Sequence, residues 1–292
     1  MAALLALCSS LLWGTGDFLG GRASRTHAVL RVLFWSQAAT FTLVWLVVGL
    51  GAGAGWLDLD VRTVGIGVLG GMAGVVALGA FYRALAIGPM SVVPPIAAAG
   101  VALPVVVGIL SGDPPSRVTL GAIVLTVVGI VLASMGEGSN DEEGSLVPTR
   151  IAGRTLALCL VAALGFGLMF VAMDAAAGDT AASALVATAG VRLGSFTVLV
   201  LAALSTRMRP TRDVTPRSVL GFATIGLFDT AANLTFAVAT TRGALEVVAV
   251  LGSLYPVVTS ALAHVVLGER LGRVQLVGVV AAIAGVAVLA SA

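Results

Sequence analysis

The chain has no lysine, only two histidines and two cysteines, and few charges of either sign: 16 arginines stand against 14 acids in 292 residues. Charged side chains make up 10% of it, where a soluble domain carries roughly 25%. Each scarcity excludes something. With a net charge of +2 and arginines scattered in short loops, the electrostatic footprint of nucleic-acid binding is missing. No HExxH, CxxC or GxSxG pattern occurs, so a metalloenzyme or intramembrane hydrolase lacks its parts. No metal, cofactor or enzymatic activity is expected. Cys8 and Cys159 lie in apolar runs and read as small buried hydrophobes rather than a disulfide.

What is present is apolar. Hydrophobic residues make up 59% of the chain and glycine contributes 37 positions, with a mean hydropathy of +1.09. No water-soluble core hides that much, so lipid is the solvent, and the glycines suit close helix packing within it. Apolar stretches fall near 2–21, 29–52, 62–85, 91–111 and 117–135, then near 154–174, 180–204, 216–238, 244–267 and 271–291. Each is about 20 residues, the length of a spanning helix, and none shows the ~10-residue alternation of a membrane barrel. Residues 2–16 lack a basic n-region and a small-x-small cleavage site, so they read as a retained helix rather than a signal peptide.

The two sets of five are copies. Leu7-Cys8 recurs as Leu158-Cys159, Phe41-Thr42 as Phe196-Thr197, Gly112-Asp113 as Gly268-Glu269, and Val131-Leu132-Ala133-Ser134 as Val288-Leu289-Ala290-Ser291. The offset drifts from 151 to 157, as a duplicated unit with small loop insertions requires. The longest polar run, 136–154, separates the copies as a linker. Five spans per unit is odd, so the second copy enters the membrane upside down. The expected fold is therefore an all-α integral membrane protein of ten transmembrane helices in two inverted-topology five-helix repeats. That architecture marks secondary transporters, with the substrate near the midplane between the repeats.

Arginine sets the orientation. Odd-numbered loops hold Arg22, Arg25, Arg31, Arg83, Arg150, Arg154, Arg207, Arg209, Arg212, Arg217, Arg270 and Arg273; even-numbered loops hold Arg62, Arg117 and Arg242. The positive-inside rule puts the odd loops in the cytoplasm and both termini outside.

Ionisable residues at membrane depth are expensive and are functional candidates by default. Asp17 follows Trp13-Gly14-Thr15-Gly16 in helix 1, and its counterpart is Leu168. Asp229 and Asn233 share a face of helix 8 at i, i+4 spacing, with counterparts Gly74 and Leu78. Arg192 in helix 7 aligns with Gln37 in helix 2; both read as ligand contacts or as packing anchors. Arg242 and Glu246 open helix 9 as a local ion pair, a snorkelling pair or a contact for substrate. Asp17 and Asp229 break the symmetry of the copies, which favours chemistry over packing.

Pro89, Pro94, Pro95 and Pro104 crowd helix 4 and Pro256 falls in helix 9. Proline frees a carbonyl, so these equivalent helices are expected to supply gates or simple kinks, with Gly14 and Gly165 as paired hinge or packing positions. Gly65-Ile66-Gly67-Val68-Leu69-Gly70 fits GxGxxG inside an apolar helix with no preceding strand, which points to helix packing rather than dinucleotide binding.

Trp13-Gly14 in helix 1 resembles the drug/metabolite transporter superfamily, EamA type. So do Ser253-Leu254-Tyr255-Pro256, Leu267-Gly268-Glu269-Arg270-Leu271, Gln275-Leu276-Val277-Gly278 and Ala284-Gly285-Val286. The first unit is a weaker copy, with Gly112-Asp113-Pro114-Pro115, and Gly100 in the place of Pro256. The resemblance implies EamA-like repeats at 1–138 and 154–292 joined by a linker at 139–153. It implies a central cavity among helices 1, 3, 4, 6, 8 and 9, with 5 and 10 peripheral. It adds Tyr82 and Tyr255, beside Trp13, Asp17, Asp229 and Asn233, as cavity residues. It also implies cytoplasmic termini, against the arginine count.

The functional expectation is a secondary active transporter of the cytoplasmic membrane. It would export a small polar or amphipathic metabolite or drug by alternating access, with protons as the coupling ion. An uncoupled facilitator and a non-transporting scaffold or sensor are the alternatives, as monomer or homodimer.

Overall fold

The computed structural model describes residues 1–101, 103, 116–133, 152–176, 180–209, 211, 214–240, 242, 251–252, 254–269 and 272–289. Among them every regular element is a helix: α1 (Ala2–Thr26), α2 (Val29–Gly53), α3 (Val61–Ile87), α4 (Val93–Ala98, running on into a 3₁₀ turn, Ala99–Val101), α5 (Arg117–Ala133), α6 (Gly153–Ala176), α7 (Ala181–Ser205), α8 (Pro216–Thr240), α9 (Tyr255–Leu267) and α10 (Arg273–Leu289). Six of these, α1, α2, α3, α6, α7 and α8, are long and apolar enough to cross a bilayer.

Polar residues place the helix ends. Asp60 caps α3 by accepting from the backbone N–H groups of Thr63 at 2.8 Å and Arg62 at 3.4 Å, satisfying donors that a helix start leaves open. The Thr63 hydroxyl donates to the same carboxylate at 2.6 Å, and these bonds hold the Asp60 carboxyl below its ordinary range. Thr180 and Ser183 form a reciprocal capping box on α7. Gly268 closes α9 with φ 68°, a left-handed conformation that glycine adopts without cost.

Of the two expectations for the prolines, gates or simple kinks, their placement departs from a mid-helix kink. Pro94 and Pro95 lie in the first turn of α4 and Pro256 is the second residue of α9, where a helix has no intrahelical use for the N–H. Leu251 and Gly252 are helical, Leu254 is a turn, and α9 starts afresh at Tyr255. The ninth apolar stretch is thus broken ahead of Pro256. Pro104 lies outside the described residues.

Packing pairs helices from opposite halves of the chain. α3 lies against α6 and α7, α1 against α8 and α9, α2 against α7 and α8, α4 against α6, and α5 against α10. Several of these contacts occur twice with the halves exchanged. A Cβ on Gly71 would run into the Val191 carbonyl, and one on Gly226 into the Ser36 carbonyl; residues 71 and 226 are as far apart in sequence as 36 and 191. Gly129 abuts Ala282 while Gly285 abuts Thr126, again one contact seen from both sides. Close approach at these glycines is what lets helices associate where lipid competes for apolar surface. Gly67, Gly70, Gly71 and Gly74 all face α6 or α7, whereas Gly65 meets nothing within 4 Å, so helix packing accounts for the last two glycines of the GxGxxG run.

The main core cluster joins Phe18, Val32, Leu33, Phe81, Tyr82, Leu85, Met90 and Ile96 with Leu199 and Phe222. Large apolar side chains such as Leu11, Leu50, Leu69, Leu120 and Leu204 are exposed, as a surface solvated by acyl chains demands. Cys8 and Cys159 are both free, the first exposed and the second buried.

Candidate functional site

Three helices meet at one arginine. From α7, Arg192 projects Nη1 to Gln37 Oε1 of α2 at 2.8 Å and to Asp229 Oδ2 of α8 at 2.7 Å. The Arg192 side chain is 3% exposed and that of Asp229 23%, so the pair is enclosed on the arginine side and open on the acid side. Asn233, one turn further along α8, donates to the Asp229 backbone carbonyl at 2.6 Å and to Oδ1 at 3.2 Å. Arg192 Nε has no hydrogen-bond partner among the described residues. Gln37 and Arg192 are equivalent positions of the two units, 155 residues apart, and they bond to each other where α2 crosses α7. Asp229 has no such twin: at Gly74 an added Cβ would stand 2.5 Å from Met169 Sδ, so the equivalent space is filled by a methionine.

Asp17 of α1 approaches the same centre from the other side. Gly16, its neighbour, rests against Phe228 and the backbone of Asp229 and Ile225, which brings the Asp17 charge within reach of Asp229. No cation neutralises Asp17 among the described residues. Tyr82 of α3 is 1% exposed and packs the hydroxyl end of its ring on Gly20 of α1, close enough to feel the charges of Asp17, Asp229 and Arg192. Tyr255, at the start of α9, also feels Asp17. Trp13, one turn from Asp17, stands 6.3 Å from the Tyr255 ring in an edge-on arrangement and 5.4 Å from Phe236 of α8. The result is a cluster of two acids, one arginine and a band of aromatics, contributed by α1, α2, α3, α7, α8 and α9.

The helices around it are tied by buried side-chain bonds to backbone carbonyls. Ser9 donates to Ala232 O at 3.0 Å, Thr259 to Gly14 O at 3.0 Å and Ser195 to Gly71 O at 2.9 Å. Gly14 permits this: an added Cβ would sit 2.5 Å from Val258 Cβ. Gly165 packs on Ala77 of α3 instead.

At the end of the bundle where α1, α3 and α9 finish, Glu269 gathers three elements. Arg25 donates to its Oε1 at 3.1 Å, and the Ser91 backbone N–H and hydroxyl donate to Oε2 at 3.1 and 3.0 Å. Arg25 also reaches the carbonyls of Leu85 and Gly88, each at 3.4 Å. Ser260 donates to Ser91 O at 2.9 Å, and His264 Nδ1 lies 2.8 Å from Glu269 O.

Trp13, Asp17, Tyr82, Asp229, Asn233 and Tyr255, expected as cavity residues from the resemblance, thus lie in one region together with Gln37 and Arg192. Arg242 is exposed in a turn; Glu246, its expected partner, lies outside the described residues. Two features escaped the sequence reading. Phe236 continues the 229, 233 face at i+7 and was open to detection by helical spacing. The Arg25–Glu269–Ser91 cluster joins residues 244 positions apart, and no spacing rule reaches that far.

The sequence profile of the EamA-like transporter family matches residues 153–291, the whole second unit, in agreement with the resemblance seen in its motifs. No curated protein sequence matches the chain. A solved crystal structure aligns with 98% of this chain and 95% of its own length at a TM-score of 0.59 and 17% identity, which is a likeness of fold. With six apolar helices of spanning length among the described residues, the chain is a multi-pass membrane protein whose second half matches an EamA-like transporter profile.

Proposed function

We propose that this protein is a secondary carrier of ten transmembrane helices, built as two inverted five-helix repeats, that exports an amphipathic monocation in exchange for a proton. The single observation that carries the reading is the charge count of the region: of two neighbouring carboxylates, Asp17 and Asp229, only Asp229 is paired with a guanidinium, that of Arg192. The region is therefore short of one positive charge. A proton or a protonated amine supplies it, and the two compete for the same oxygen atoms. The aromatic band of Trp13, Tyr255 and Phe236 one turn away suits the apolar or aromatic body of such an amine. The contacts repeated with the halves exchanged support the inverted repeat.

Alternating access then requires the bundle ends to open in turn. The arginine count puts the Glu269 end in the cytoplasm, so the Arg25–Glu269–Ser91 cluster acts as a cytoplasmic latch, made in one state and released in the other. In a Cys8→Ser, Cys159→Ala background, Glu269→Gln is expected to raise thiol labelling of Ser91→Cys by about two- to fivefold, the weight of a partly exposed ion pair. Unchanged labelling makes the cluster a static brace.

The function is tested by thermal melting of the purified chain against a broad metabolite panel. Amphipathic amines are expected to raise the midpoint and anions of similar size to leave it alone. A panel in which nothing stabilises points to a scaffold or sensor. Stabilisation by amines together with vesicle transport indifferent to a pH gradient points to a facilitator.

A further inference from the structure

The two arginines in the last turn and a half of α1 have different fates. Arg25 is committed to Glu269, whereas Arg22 is exposed and makes no hydrogen bond or ion pair among the described residues. Arg22 instead stands at the mouth of a groove of about 460 Å³ between α1 and α8. Leu19, Ala23, Phe222 and Ile225 supply its apolar surface. Thr26, His27, Ser218 and Thr224 join Arg22 as its polar members, and no acid is among the lining residues. His27 is held by Thr26 at 2.9 Å and by the edge of Phe222 at 5.1 Å between centroids. Arg217, beside Ser218, is exposed at the same end.

We propose that this groove holds an anionic phospholipid, its phosphate on Arg22 and one acyl chain laid along Leu19, Ala23 and Ile225. The chemistry is complementary at both ends: a guanidinium with no partner among the described residues for a phosphate, and an apolar trough leading from it along two membrane helices. A free anion would use the first and leave the second empty. Basic pockets between transmembrane helices on the cytoplasmic side take anionic headgroups, and that leaflet carries the negative surface charge. The arginine-rich loops place Arg22 there. Because α1 also carries Asp17, a lipid lodged between α1 and α8 would bear on the same two helices that hold the acids.

The test is native mass spectrometry of the detergent-purified full chain with phosphatidylglycerol or phosphatidylcholine of matched acyl chains. The intact protein is expected to retain phosphatidylglycerol in preference by about fivefold, the contribution of one arginine at an anionic surface. Arg22→Gln should remove the preference. Gly221→Leu should reduce retention of both lipids, because a Cβ at Gly221 meets nothing within 4 Å and the longer side chain fills the groove. Arg62→Gln, at the opposite end, should change neither. If Gly221→Leu melts early without lipid, Arg22→Gln alone decides. A preference that survives Arg22→Gln overturns the proposal. Displacement of phosphatidylglycerol by an excess of inorganic phosphate also overturns it, since it would make the site an anion site without a lipid trough. The readout is lipid retention, so it stands or falls separately from transport.

Discussion

Asp17→Asn is expected to leave a folded protein that has lost its response to a pH gradient. The substitution keeps the shape of the side chain and removes only its charge, and no ion pair breaks because Asp17 has no cation partner among the described residues. In proteoliposomes the variant should bind an amphipathic amine about a hundredfold more weakly, within the ~2–5 kcal/mol lost when one partner of an enclosed charge pair is truncated. The pH dependence gives a second signature. If proton and amine share the carboxylate, amine affinity in the unaltered protein falls as pH drops through the range where Asp17 takes up its proton. It is flat above that range, because the carboxylate is already ionised there. Asp17→Asn should be flat throughout. Gradient-driven accumulation equal to that of the unaltered protein would remove Asp17 from the coupling scheme.

The second large effect concerns folding. Asp229→Asn leaves the Arg192 guanidinium, 3% exposed, bonded to neutral amide oxygens with no paired carboxylate, and should cost about 3–5 kcal/mol, the usual price of an uncompensated buried charge. Arg192→Met is expected to cost less, because Asp229 keeps a 23% exposed side chain and the Asn233 amide at 3.2 Å. The double variant should recover most of the loss, since replacing both members of a buried pair is often near neutral. Denaturation of the four proteins in one detergent measures this as a cycle, and additive losses would mean that the two groups do not act as a pair. Transport is expected to separate the roles further. The double variant restores folding yet removes two of the three charges that set the region's balance, so it should remain inactive.

The fold was largely legible because lipid imposes simple rules. Helix lengths follow from the thickness of hydrocarbon, and the bounds of α1–α3, α5–α8 and α10 fall within about five residues of the apolar stretches, whereas only parts of the fourth and ninth stretches lie among the described residues. Local partners were legible for the same reason: Asp229 and Asn233 share a face and are bonded, and Trp13 and Asp17 share one beside Gly16. What stayed hidden depends on distant helices. Gln37 and Arg192 were recognisable as equivalents, yet nothing in their neighbourhoods says that equivalents touch. They touch because α2 and α7 cross, so a residue and its counterpart arrive at one point from opposite halves. Glu269 was visible as a motif residue, but its bonds to Arg25 and Ser91 exist only once α1, α3 and α9 end at the same level.

Composition alone determined that lipid is the solvent and that the elements are helices, and comparison of the chain with itself pointed to one unit used twice. Those conclusions need only the free energy of moving apolar length out of water and a comparison of the chain with itself. Tertiary structure decided which polar groups answer each other. At Gly74 the space is closed by Met169; at Asp229 the matching interface keeps room for a carboxylate, because Gly16 lets α1 and α8 meet through backbone. That difference in filling leaves Arg192 paired with Asp229 and Asp17 without a cation among the described residues, and it is a matter of packing that no single stretch of sequence contains.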